Sequence, residues 1–254
     1  MFDATTFHNI PVAISGFMKM SIAQVLTRLG RGFWNNHVDA TNDFVDSGAN
    51  PLDNDSLIEW YKATDAYIWE LGAWHWGDRG KAITAEHQEV FDVCVGTVHD
   101  VLVLADGIGT LSMQLRERGL NPTYNDLNGS RTANFAQYRF NYEIPVLLTD
   151  SFEPRLGDPE QFDAVIAHAF FEHIPNIPDW LDAIHSVLRP GGLMFVKNDW
   201  ITGTSADNRT VAIPMHLEAN LAVGRDWYSL VPPHGFEHVS GGHNVIETWR
   251  KVAV

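Results

Sequence analysis

The chain has 254 residues, 45% of them hydrophobic, with 32 acidic against 17 basic side chains and a formal net charge of −15. That length holds one large α/β domain, or one domain with a cap. The acidity, with no cluster of Lys and Arg to offset it, argues against nucleic acid as a partner. No apolar run approaches the ~20 residues of a bilayer crossing. The opening Met1-Phe2-Asp3 lacks the basic-then-apolar order of a secretory signal. The lone Cys94 excludes an internal disulfide framework and a cysteine zinc cluster. The expectation is a cytoplasmic protein without a membrane contact.

Before about residue 98 the chain reads as helices and loops. Ile14, Phe17, Met18, Ile22, Val25, Leu26 and Leu29 share one face at helical spacing, and Gly30-Arg31-Gly32 stops that helix. The stripe suits packing on the main domain, a lid or a homodimer contact. Thr41 to Asp55, rich in Asn, Asp, Gly and Ser, reads as a loop. A helix follows from about Ser56 to Leu71, capped by Asp55 or Ser56. Trp69, Trp74, His75 and Trp76 form an aromatic cluster, either core or the wall of an acceptor pocket. Another helix runs from about Thr84 to Cys94.

After Val98 apolar runs alternate with helical patterns. Strands are expected at about 100–104, 122–126, 145–149, 163–167 and 192–198, and helices at about 110–118, 128–140 and 177–188. This order implies a parallel sheet with right-handed crossovers. A helix from about Glu218 to Leu230 follows. Phe236–Ser240 and Val245–Val252 then close the sheet around Gly241-Gly242.

Four pieces carry chemistry. The run Val101-Leu102-Val103-Leu104 leads straight into Ala105-Asp106-Gly107-Ile108-Gly109, a turn whose glycines let a backbone approach a ligand. Asp126 ends the second strand, 17 residues past Gly109, where a carboxylate can accept both hydroxyls of a ribose. The third piece is Phe162 to Pro175, with Phe171-Glu172-His173-Ile174-Pro175 after the fourth strand. The fourth is Leu188-Arg189-Pro190-Gly191-Gly192 before the fifth. In order and spacing these resemble the class I S-adenosylmethionine-dependent methyltransferases, the small-molecule type most closely.

The resemblance implies an α/β fold: a Rossmann-like seven-stranded sheet, mostly parallel with an antiparallel last strand, under an N-terminal helical cap. Residues 1–97 would be the cap and 98–254 the methyltransferase domain. S-adenosyl-L-methionine would be held by Ala105, Asp106, Gly107, Gly109, Asp126 and Leu127. Asp150, Ser151 and Phe152 would lie at its adenine, and His168 at its methionine end. The family's first motif carries an acid where Val103 stands and a glycine where Ala105 stands, and Asp106 could supply a charge from the next register. Phe170 and Phe171 offer aromatic faces to a sulfonium. His173 is the first candidate to activate or orient an acceptor, and His216 the second. No metal is expected, because His234, His238 and His243 have no carboxylate at ligand spacing. The reaction would be methyl transfer to a small-molecule oxygen or nitrogen. Two other readings stay open. One is a non-catalytic binding or partner protein, favoured by Val103 and Ala105. The other is a nicotinamide-dependent oxidoreductase, disfavoured by Ser112 where a third glycine would pack helix on strand.

Overall fold

The computed structural model describes residues 9–76, 80–198, 226–242 and 245–253. Seven strands form one sheet in the order β3-β2-β1-β4-β5-β7-β6. They are β1 (Asp100–Leu104), β2 (Asn121–Leu127), β3 (Val146–Thr149), β4 (Phe162–His168), β5 (Leu188–Lys197), β6 (Phe236–Ser240) and β7 (Glu247–Lys251). β1 to β5 pair in parallel. β7 runs antiparallel to both of its neighbours, β5 and β6. Strand order reverses at β1 and β4, so a crevice opens at their carboxyl ends, where open α/β sheets bind ligands.

Among the described residues six helices precede the sheet: α1 (Ile10–Met18), α2 (Ile22–Leu29), α3 (Phe33–Ser47), α4 (Asn54–Ala63), α5 (Ala66–Trp76) and α6 (Gly80–Cys94). Three more join the strands: α7 (Thr110–Glu117), α8 (Arg131–Phe140) and α9 (Ile177–Val187). A short α10 (Trp227–Leu230) precedes β6. Two apolar layers sandwich the sheet. One unites Leu102, Leu104, Val165 and Val196 with Trp180, Leu181 and Ile184 of α9. The other unites Val101, Val103 and Ile166 with Phe91 of α6 and Leu111 and Leu115 of α7.

The first half corrects three expectations. The apolar stripe from Ile14 to Leu29 is two helices. Lys19 takes a left-handed φ of 55° and closes α1, and Ser21 opens α2 with a capping box to Gln24. Thr41 to Asp55 is loop only in part, because α3 runs to Ser47 and ends at Gly48. Its burial of Asn36, Ala40, Thr41 and Phe44 outweighs the weak helix propensity of its Asn and Asp residues. The helix expected from Ser56 to Leu71 breaks at Thr64-Asp65 into α4 and α5, and its cap is Asp53, whose carboxylate accepts from the amides of Asp55 and Ser56. The helix expected from about Glu218 lies mainly outside the described residues.

Candidate active site at the carboxyl edge

β1 delivers the chain into a tight turn. Ala105, Gly107 and Gly109 all have positive φ, at 46°, 54° and 75°. Ala105 thus holds the backbone shape that resemblance assigns to glycine and bears the steric cost of its Cβ. Asp106 turns back on its own chain. Its two carboxylate oxygens accept from the amides of Leu111 (3.1 Å) and Ser112 (2.7 Å), which caps α7. Burial raises its pKa, against the pull of those bonds. Asp106 thus serves as a helix cap for α7. Gly109 likewise faces protein, since a Cβ there would collide with the ring of Phe140 and press on Ala136 of α8. Gly107 faces outward, and there Leu71 of α5 rests on it.

Arg139 of α8, buried, braces this turn. It donates to the Ile108 carbonyl and to Thr110 Oγ1 (3.0 Å). Burial depresses its pKa to about 10, while the nearby Asp106 carboxylate opposes the shift. Thr110 Oγ1 lies 2.8 Å from His75 Nδ1, which ties α5 to the same turn.

Asp126 stands beside the turn at the end of β2. Its Oδ1 accepts from the Leu127 amide (2.6 Å), and its Oδ2 lies 2.6 Å from the Tyr124 hydroxyl. That hydroxyl is also 2.8 Å from the Gly107 carbonyl. Burial pushes Asp126 up to about 6, with Asp106 adding to the rise and the hydrogen bonds opposing it. Asp150, exposed after β3, accepts from Asn128 Nδ2 (2.7 Å), and Ser151 Oγ accepts from the Glu153 amide. Phe152 is half-buried, with Tyr61 of α4 against it at 6.4 Å between ring centroids.

At the end of β4, His168 meets the ring of His87 at 5.8 Å, and His87 meets that of His75 at 6.2 Å. Ala169, the next residue, again has positive φ (50°). His173 closes the single helical turn Phe171–His173, with its amide donating to the Phe170 carbonyl. Phe170 and Phe171 are both buried, as part of the core with Trp180 and Trp227. His216 lies outside the described residues. Among the described residues no group of three or more His, Cys, Asp or Glu could hold a metal ion. His234 bonds Asp182 and His238 packs on Trp249, at the far edge of the sheet.

The helices before β1 lie over this edge. Ile14, Val25, Leu29, Ile68 and Trp69 share a core with Ile108 of the turn and Phe135 of α8. Asp65 pairs with Arg131 at 2.6 Å. Tyr61 and Tyr67 stack at 5.7 Å, and burial raises the pKa of both hydroxyls, with Asp126 adding to the rise at Tyr61. On α5, Glu70 is buried and its Oε1 lies 2.9 Å from His37 Nδ1 of α3. Trp74 packs on Phe33 at 5.1 Å, while Trp76 is exposed. Sequence reasoning passed over Tyr61, Tyr67, Arg139, His37 and Glu70. The first three sit on helices whose inward face only the packing fixes, and His37 and Glu70 are far apart in the chain.

This strand order, with an acid ending β2 beside a glycine turn after β1, suits an adenosine. Residues 102–194 match a family model described as a methyltransferase domain. These residues carry a methyltransferase domain. The protein is an enzyme, and S-adenosylmethionine is its methyl donor. No curated protein sequence matches the chain. Solved structures share its fold at low identity. A protein from Pyrococcus horikoshii OT3 is 14% identical over 70% of this chain and 93% of its own, with TM-score 0.52. A Thermotoga maritima protein named as a methyltransferase, possible histamine N-methyltransferase, is 14% identical over 72% of this chain and 94% of its own, with TM-score 0.51. The 4+2 cyclase SpnF is 17% identical over 65% of this chain and 60% of its own, also at 0.51. These likenesses speak for the fold alone.

Proposed function

We propose that this methyltransferase transfers the methyl group of S-adenosylmethionine to an oxygen or nitrogen of a small-molecule acceptor, held between an N-terminal cap of residues 1–97 and the carboxyl edge of a domain spanning 98–254. The observation that carries this reading is the seating of α5 on the glycine turn, with Leu71 over Gly107 and His75 on Thr110. A methyl sulfonium is already primed for displacement, so the protein's share is alignment and exclusion of water. An edge roofed by aromatic helices favours a small acceptor over a polymer.

In this reading the main chain at Ala105 and Gly107 approaches the methyl donor, and Asp126 accepts from its ribose with Leu127 beside it. Asp150, Ser151 and Phe152 border its adenine, and His168 borders its methionine end. His173 orients the acceptor from the turn after β4. The test is transfer of labelled methyl from S-adenosylmethionine to a panel of catechols, phenols, imidazoles and primary amines. Transfer to one of them supports the reading. Transfer only to protein or nucleic acid would refute it.

A further inference from the structure

A hydroxyl or amine that accepts a methyl group must also lose a proton. We propose that His37 of the cap takes that proton, with Glu70 holding its imidazole as a base; this rests on the small-molecule reading above. Glu70 is the one acid of α5, set among Ala66, Ile68, Trp69 and Ala73, and it is 6% exposed. A carboxylate so enclosed is costly unless it is paired. Its partner is His37, Oε1 to Nδ1 at 2.9 Å. That bond places the proton of a neutral ring on Nδ1 and leaves the lone pair on Nε2. Nε2 makes no other hydrogen bond among the described residues, and the His37 side chain keeps 14% of its surface open. The ring is packed between Phe33, stacked at 5.6 Å, and Trp34, edge-on at 5.9 Å. An imidazole fixed by a buried carboxylate, with its second nitrogen open, is the arrangement of a general base.

The surroundings favour His37 over its neighbours. Glu70 lies one residue before Leu71, which rests on Gly107, so α5 carries both the dyad and the contact to the glycine turn. Tyr67 and Tyr61 are the titratable groups that feel Glu70. Burial pushes both hydroxyls further from ionising, so they serve as donors and not as bases. On α3 itself, Asp39 is taken by Arg31 at 2.7 Å. In the step, the acceptor's lone pair forms a bond to the methyl carbon and the carbon–sulfur bond breaks, its electron pair staying on sulfur. The acceptor's proton passes to Nε2. The resulting imidazolium is balanced by Glu70 until the proton leaves to solvent.

The decisive experiment measures kcat, KM and S-adenosylmethionine affinity for wild type, His37→Ala and Glu70→Gln, from pH 5.5 to 9, with the best acceptor of the panel above. His37→Ala should lower kcat about 100-fold or more with donor affinity nearly unchanged, and added imidazole should restore part of it. Glu70→Gln still accepts from Nδ1 but lacks the charge, so the acidic limb of the pH profile should move to lower pH. A purely structural pair would show neither rescue nor a moved limb. Wild-type kcat in His37→Ala, or an unmoved limb in a folded Glu70→Gln, would overturn the assignment while leaving the methyltransferase reading intact. A wild-type enzyme that binds S-adenosylmethionine yet methylates no member of the panel would remove that reading, and the base with it.

Discussion

In the proposed site, Asp126 couples the fold to the methyl donor. Its pKa of about 6 lies above the ~3.9 of an unfolded aspartate, so the folded state holds the extra proton in between. For this group alone, stability of the free protein is greatest below about pH 4 and falls as pH rises through about 6. Ribose hydroxyls need the ionised form as acceptor, so donor affinity should rise from pH 5 to 7, with proton release. Calorimetry in buffers of different ionisation enthalpy would detect both. Asp126→Asn should remove that pH dependence and weaken binding by about 1.5–3 kcal/mol. Unchanged binding in the variant would place the ribose elsewhere. A second residue bears strain. Ala105 has φ of 46°, a shape that costs a side chain roughly 1–2 kcal/mol. Ala105→Gly should raise stability in urea by about 0.5–1 kcal/mol after glycine's greater unfolded-state entropy is counted.

At the scale of elements, the glycine turn is fixed by the helices around it as much as by its own residues. Gly109 lies against Phe140 and Ala136, and its φ is 75°. A valine at Gly109 therefore meets both a filled space and a left-handed backbone. With α8 in view, the same change should cost about 2–5 kcal/mol of stability, from overpacking and a strained backbone together. A denaturant titration with near-wild-type stability would contradict that. Arg139 is the counterpart on α8. It holds the Ile108 carbonyl and Thr110 while facing Asp106. Arg139→Met should destabilise the protein by about 3–5 kcal/mol, as a broken buried pair does. A smaller loss would mean that Asp106 and its helix cap hold the turn without help.

For the whole molecule, the link that matters runs from cap to sheet. Thr110 meets both Arg139 and His75, so one hydroxyl joins the turn to α5. Thr110→Val keeps the shape and removes that join. Hydrogen exchange along Ala66–Trp76 should then speed up while the strands stay protected. Equal exchange in both proteins would show that the shared core of Ile14, Ile68, Trp69, Ile108 and Phe135 seats the cap unaided.

The sequence by itself determined the sheet from β1 to β7, with edges within a few residues, because short apolar runs and the turns between them are local signals. It also located the glycine turn and the end of β2 at Asp126, since both belong to one strand–turn–helix–strand stretch. It could not place α3, whose Asn and Asp content reads as loop until Phe44 and Ala40 have something to pack on. Nor could it give Asp106 and Gly109 their structural roles or bring Glu70 to His37, 33 residues away. Those outcomes depend on which helix face turns inward and what meets it there. Only the tertiary packing decides that, because burial and pairing are properties of neighbours in space.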